Sequence, residues 1–172
     1  MISKHPELAY RIEPLGKQHD RAGFSCGNPT LDAYLHERAR QDMERNLAAV
    51  FILTSDGKNI AGFYTLSAHS ILADALPEDL ARKLPRFPLP VTLLGRMAVS
   101  LALQGQRLGE FLLIHALEHA WLGSQQIASW AVVVDAKEGA RNFYLKHEFI
   151  PFPSYPDRLF IPMKTIEKLF TS

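Results

Sequence analysis

The sequence predicts an α/β protein built on one mixed sheet with helices on both faces. Three observations carry that expectation. Residues 91–121 read as a strand, a glycine-bearing turn and a long amphipathic helix in succession. Two apolar strands, 48–54 and 60–66, flank Ser55-Asp56-Gly57-Lys58-Asn59, whose Asp-Gly step marks an antiparallel hairpin. The whole chain orders itself as β, α, ββ, α, β, α, β, α, β, with no composition break to suggest a second domain.

The bulk numbers fit that class. A chain of 172 residues is one domain, 1–172, long enough to bury a sizeable core. Nineteen basic against 18 acidic side chains leave a net charge of +1, so no overall field announces nucleic acid, although a local basic patch stays open. Cys26 is the single cysteine, which rules out an internal disulfide and suits a reducing compartment. The N-terminus lacks an apolar signal core, and no run approaches the ~18 apolar residues of a membrane span. A cytoplasmic protein without membrane contact is expected.

Taken in order, residues 8–15, from Leu8, alternate as a first strand. The loop Phe24-Ser25-Cys26-Gly27-Asn28-Pro29-Thr30 feeds a helix running to about Met43, with Asn28 as N-cap and Pro29 in its first turn. Leu31, Tyr34, Leu35 and Arg38 share one face of it. A short helix over 74–84 carries Pro77 in its first turn and Arg82, Lys83 and Arg86 at its end. The connector 85–90 is too proline-dense for regular structure. The strand 91–99 reads as buried on both faces, and Gly95 marks a bulge or a close approach. Gly109, Leu112, Leu113, Ala116 and Ala120 then make the apolar stripe of the long helix. Strand 129–134 ends at Asp135. A helix over 136–146, strands from 148 and over 159–163, and a helical turn over 166–170 complete the chain.

The turn Gln104-Gly105-Gln106-Arg107-Leu108-Gly109 places free backbone N–H groups at a helix start, where orphan amides and the helix dipole favour phosphate. A plain α/β connection has the same outline. Cys26 has no His and Asp arranged around it in sequence and reads as packing. His115 and His119 stand four apart, but H-A-L-E-H lacks the glutamate placement of H-E-x-x-H and a third ligand, so no metal is expected.

Three pieces together resemble a known family: residues 24–35 (FSCGNPTLDAYL), Leu94-Gly95-Arg96-Met97-Ala98-Val99 before the turn, and Asp135-Ala136-Lys137 with Phe143-Tyr144. The chain is similar to the GCN5-related N-acetyltransferases (GNAT), and more narrowly to the acetyltransferase toxins of bacterial type II toxin–antitoxin modules. The resemblance spans nearly the whole chain. It implies the GNAT acyltransferase fold and acetyl-CoA as cosubstrate. Its diphosphate would lie on Gln104, Gly105, Gln106, Arg107, Leu108, Gly109 and Glu110, and its pantetheine arm along Met97, Ala98 and Val99. A backbone N–H there would polarise the thioester carbonyl. Tyr144 would be the general acid for the departing thiolate and Asn142 a further cofactor contact. One departure stands out: Arg107 takes the place of the family's glycine, where it either crowds the diphosphate or pairs with it.

The same resemblance implies a substrate and partners. Such toxins acetylate the α-amine of aminoacyl-tRNA and stall translation. RNA contacts would come from Arg82, Lys83, Arg86 and Arg96, with Arg38, Arg40 and Arg45 next. A homodimer is implied, with a cognate ribbon-helix-helix antitoxin and with DNA bound only through the antitoxin complex. No residue stands out as a base; Glu110, Asp135 and Glu148 are available, but an aminoacyl ester's amine is acidic enough to need none. Two rival readings stay open. One is a polyamine or antibiotic acetyltransferase sharing Tyr144 and the turn. The other is a non-catalytic acyl-CoA-binding or interaction module, with Arg107 as a sign of decay.

Overall fold

A computed structural model describes residues 9–136 and 139–171. Leu8, at the head of the expected first strand, and Lys137, in the expected helix over 136–146, lie outside the described residues. Seven strands form one mixed sheet: β1 (Arg11–Pro14), β2 (Ala49–Thr54), β3 (Gly62–Ile71), β4 (Leu89–Val99), β5 (Ala131–Asp135), β6 (Ile150–Phe152) and β7 (Tyr155–Pro162). Their order is β1-β2-β3-β4-β5-β7-β6, which puts β4 at the centre. β4 and β5 run parallel, whereas β1–β2, β2–β3, β5–β7 and β6–β7 are antiparallel. The chain folds as two compact units, 1–67 with 96–116 and 68–95 with 117–172, so β3, β4 and the long helix contribute to both.

In the first unit, Asn28 caps α1 (Pro29–Ala33) as expected, accepting from the amides of Thr30 and Leu31 at 3.0 and 3.2 Å. The helix continues through a π-helical turn, Tyr34–Arg38, into α2 (Ala39–Glu44). Its Tyr34, Leu35 and Ala39 pack against Val50, Ile52 and Phe63. Ile52 and Phe63 are register partners, so they share a sheet face. The next partners, Leu53 and Gly62, lie on the opposite face. There Leu112 of α4 (Leu108–Ser124) approaches, its Cδ1 only 2.9 Å from where a Gly62 Cβ would sit. Helices therefore cover both faces here, as the sequence predicts.

In the second unit, Ile71, Ala73, Leu76, Leu89, Val91, Ala131, Val133, Phe152 and Phe160 make the core. The expected helix over 74–84 is shorter: a 3₁₀ turn at Ala73–Ala75 and then α3 (Glu78–Ala81), because Pro77 sits at the N-cap and the helix can begin only after it. β4 starts at Leu89, earlier than the prolines suggest. Pro90 is tolerated because its carbonyl, accepting from Trp130 N at 2.7 Å, makes the bond. β4 is also less covered than its apolar run implies, with Gly95 exposed and Thr92, Leu93, Arg96, Met97 and Val99 half-buried. α5 (Arg141–Lys146) follows β5, and α6 (Met163–Phe170) packs on β5 and β7.

Gly62 is required by close approach: a Cβ there would meet Ala98 O at 2.8 Å and Leu112 Cδ1 at 2.9 Å. Gly62→Ala is predicted to cost about 1–3 kcal/mol through overpacking, read as a lowered urea midpoint with an unchanged slope.

Candidate active site

The end of β4 is fixed by backbone bonds before any side chain acts. Ser100 N donates to Ala61 O at 2.8 Å, and Leu101 N donates to Ser25 O at 2.8 Å. The Gln104 carboxamide then spends both its hydrogens on carbonyls, Cys26 O at 3.0 Å and Val99 O at 3.1 Å. Gln104 thus serves as a strut of the turn. The strut also gives a physical reason for residues 24–32. Gly27 is left-handed (φ 87°), Asn28 caps α1, and Asp32 accepts from Cys26 N at 2.9 Å, so the Cys26 carbonyl is held for Gln104. The Cys26 thiol is buried, and burial, with Asp32 beside it, pushes it up to about 11. It is no thiolate at neutral pH.

Beyond the strut, Gly105 (φ 89°) and Arg107 (φ 62°) are both left-handed. Arg107 therefore adopts a left-handed conformation of the kind glycine takes most readily. Phe111 N bonds to Arg107 O at 3.2 Å, which opens the helical ladder. The amides of Arg107, Leu108 and Gly109 precede it and have no intrahelical acceptor. Gln106 and Arg107 are exposed, Leu108 is buried, and Gly109 and Glu110 are half-buried, with Glu110 in the first turn of α4. A row of amides without intrahelical acceptors at the positive end of a 17-residue helix fits an anionic diphosphate.

Tyr144, in the second unit, is held by the way α5 ends. Glu148 is left-handed (φ 69°), Glu148 N bonds to Leu145 O at 3.3 Å, and Phe149 N bonds to Tyr144 O at 3.2 Å. This is a Schellman closure, and its usual hydrophobic contact is Tyr144 against Phe149, with ring centroids 5.2 Å apart. Phe143 adds an edge contact at 5.2 Å. Tyr144 is 7% exposed, and burial pushes its phenol up to about 12. It is a neutral proton donor throughout the physiological range. Asn142 is exposed on the same helix.

The basic candidates fall in both units. Arg82, Lys83 and Arg86 are exposed in the second unit. Arg96 lies in the first, its guanidinium stacked 3.6 Å above the Tyr34 ring, while Tyr34 donates to Asp42 Oδ2 at 3.0 Å. Arg40 pairs with Glu44 at 2.9 Å, and Arg38 and Arg45 are exposed. Sequence reasoning missed the Arg96–Tyr34 stack, since no local pattern joins residues 62 apart. It also missed a cluster at the end of β5. Arg158, the register partner of Asp135, reaches its carboxylate at 3.6 Å and donates to His69 Nε2 at 2.9 Å. His115 bonds through Nδ1 to the Tyr64 hydroxyl at 2.8 Å. Among the described residues no three His, Cys, Asp or Glu side chains cluster as metal ligands.

Two predictions follow from this geometry. Arg107→Gly removes the left-handed strain but adds chain entropy to the unfolded state, for a net stabilisation of about 0.5–1 kcal/mol by thermal denaturation. Burial also raises the phenols of Tyr34, to about 12 with help from Asp42, and of Tyr64. The folded chain therefore keeps phenolic protons that an unfolded chain releases near pH ~10. The stability they contribute is complete below that value and drains as pH rises toward 12. Tyr144→Phe should flatten the fall in unfolding free energy over this window.

Comparison with known proteins supplies the family. A family model described as the acetyltransferase (GNAT) family matches residues 17–149. A Mycobacterium tuberculosis protein named tRNA-acetylating toxin is 34% identical over 151 residues, 87% of this chain and 90% of that protein. A tyrosine-to-phenylalanine variant of KacT superposes with a TM-score of 0.89 at 30% identity, over 94% of this chain and 99% of that one. AtaT complexed with acetyl-methionyl-tRNAfMet gives 0.87 at 30% identity, with 94% and 99% covered. A tyrosine-to-phenylalanine variant of AtaT bound to the C-terminus of the antitoxin AtaR and acetyl-CoA gives 0.82 at 27% identity, with 95% and 99% covered. With a family match over most of its length and full-length likeness in sequence and in fold, this chain belongs to the acetyltransferase (GNAT) family.

Proposed function

We propose that the chain, acting as one domain, is an acetyl-CoA-dependent N-acetyltransferase that acetylates the α-amino group of aminoacyl-tRNA. It thereby blocks translation until a cognate antitoxin neutralises it. The observation that carries the chemistry is the turn at the head of α4, left-handed at Gly105 and Arg107 and presenting amides ahead of the helical ladder. The family match and the tRNA-acetylating relatives favour the enzyme over a non-catalytic module. The names of the similar proteins, a tRNA-acetylating toxin and AtaT with acetyl-methionyl-tRNAfMet, support the substrate.

In this reading acetyl-CoA supplies an activated acetyl group on sulfur. Backbone N–H groups over 106–110 hold its diphosphate, while Gln104, whose own hydrogens go to protein carbonyls, and Gly105 shape the turn. Met97, Ala98 and Val99 align its arm along the end of β4, and a backbone N–H there stabilises the oxyanion. Tyr144 gives its hydroxyl proton to the sulfur as the carbon–sulfur bond breaks, and Asn142 lies on the same helix. The acceptor amine has an ordinary α-amino pKa near ~8, so a useful neutral fraction exists without a dedicated base. Arg82, Lys83, Arg86 and Arg96 contact the RNA backbone. Partners follow the same reading: a homodimer, a ribbon-helix-helix antitoxin, and DNA reached only through their complex. The AtaT–AtaR complex has itself been solved on DNA. No helix among the described residues is long and apolar enough to cross a membrane, in keeping with action on tRNA in the cytoplasm.

The test uses labelled acetyl-CoA and a pool of charged tRNA. Wild type should label the aminoacyl group. Tyr144→Phe should lower kcat by roughly 10²–10⁴-fold with little change in KM for acetyl-CoA. Equal kcat in the two proteins would remove Tyr144 as the acid. Acetyl-CoA binding without label on any charged tRNA would overturn the substrate and favour a free amine.

A further inference from the structure

In sequence, the stretch between α3 and β4 reads as a connector preceded by the cations Arg82, Lys83 and Arg86, expected to contact RNA, with no role for its aromatic residue. The structure shows an exposed aromatic directly after them. Phe87 is 64% exposed, and Arg82, Lys83 and Arg86, which precede it within five residues, are exposed as well. No salt bridge joins these three cations to a carboxylate among the described residues. The acidic residues of α3, Glu78 and Asp79, sit in its first turn, and the cations follow its last turn.

The loop is also anchored. Leu76 and Leu89 are buried in the core of the second unit, and Leu80 and Leu84 pack against it. Pro85, Pro88 and Pro90 fix φ at three of the six positions from 85 to 90. Trp130 N bonds to Pro90 O at 2.7 Å. A side chain on such a loop loses little freedom on binding, so an exposed ring there is a prepared surface. Cations alone would suit any phosphate backbone. An aromatic face among cations suits an unpaired base, which stacks on the ring while neighbouring phosphates meet the charges. A duplex, with its bases already stacked, gains nothing from the ring.

We propose that Phe87, together with the preceding Arg82, Lys83 and Arg86, is a stacking platform for an unpaired nucleotide in the single-stranded 3′ end of the tRNA substrate. This rests on the aminoacyl-tRNA reading above and names the part of the substrate that this loop grips.

The test compares wild type, Phe87→Ala and Phe87→Trp. KM for charged tRNA is measured, together with binding of a short single-stranded RNA and a blunt duplex of equal length. The single strand carries 2-aminopurine, whose fluorescence is quenched on stacking. Calorimetry with acetyl-CoA reports that each variant is folded. The proposal expects Phe87→Ala to raise KM for charged tRNA roughly tenfold and to abolish the quench, and Phe87→Trp to restore both. Duplex binding should not change between variants. An unchanged KM in Phe87→Ala overturns the proposal, as does an equal loss of strand and duplex. Loss of antitoxin binding with unaltered KM would also overturn it, assigning the loop to a protein partner. Failure of wild type to acetylate any charged tRNA would defeat the substrate reading instead, and quenching of the single strand would still report whether the platform exists.

Discussion

The Gln104 carboxamide has two hydrogens and uses both on carbonyls that would otherwise lie at the edge of regular structure. One bond reaches back to Val99, the last residue of β4, and the other to Cys26, just before α1. Strand end, turn and first loop are thereby locked together. Ser100 N on Ala61 O and Leu101 N on Ser25 O close the same region from below. Without these bonds the amides at the head of α4 would point nowhere in particular. With them, a short stretch of backbone becomes a fixed array of donors, which is what recognition of a diphosphate requires.

Two non-glycine residues carry left-handed backbone at the two pieces of the candidate site, Arg107 in the turn and Glu148 after α5. Each costs on the order of 1 kcal/mol. At Glu148 the return is visible, since the reversal lets Phe149 close over Tyr144 and desolvate its phenol. At Arg107 the return is the shape of the turn itself. A buried, neutral, aromatically clamped phenol is an unusual thing to maintain for packing alone, because phenylalanine would fill the same space without a hydroxyl to desolvate.

Much of this was legible in the sequence wherever the signal is local. The Asp-Gly hairpin, the Asn28-Pro29 helix start and the strand–turn–helix around Gln104 each rest on residues close in sequence, and the family resemblance is the sum of three such local pieces in order. What was illegible is long-range or counts on exceptions. Pro90 reads as a breaker, yet it sits second in β4, where its carbonyl makes the bond to Trp130 N. The run 91–99 reads as fully buried because composition records apolarity and not coverage. The Arg96 stack on Tyr34 and the Asp135–Arg158–His69 cluster join residues from distant segments, and no periodicity announces them; the π-helical turn at Tyr34–Arg38 is local but has the same sequence pattern as an α-helix. Gln104 was legible as part of the turn, but the part its side chain plays depends on where Cys26 comes to lie.

The central claim is chemical: an acetyl group moves from sulfur to the α-nitrogen of an amino acid carried on tRNA. The most direct measurement is mass spectrometry of the aminoacyl-adenosine released by nuclease from charged tRNA after reaction with acetyl-CoA. The account predicts one added acetyl group, placed by fragmentation on the α-nitrogen. An unmodified aminoacyl-adenosine, or an acetyl group on the side chain or on the nucleotide, would contradict it.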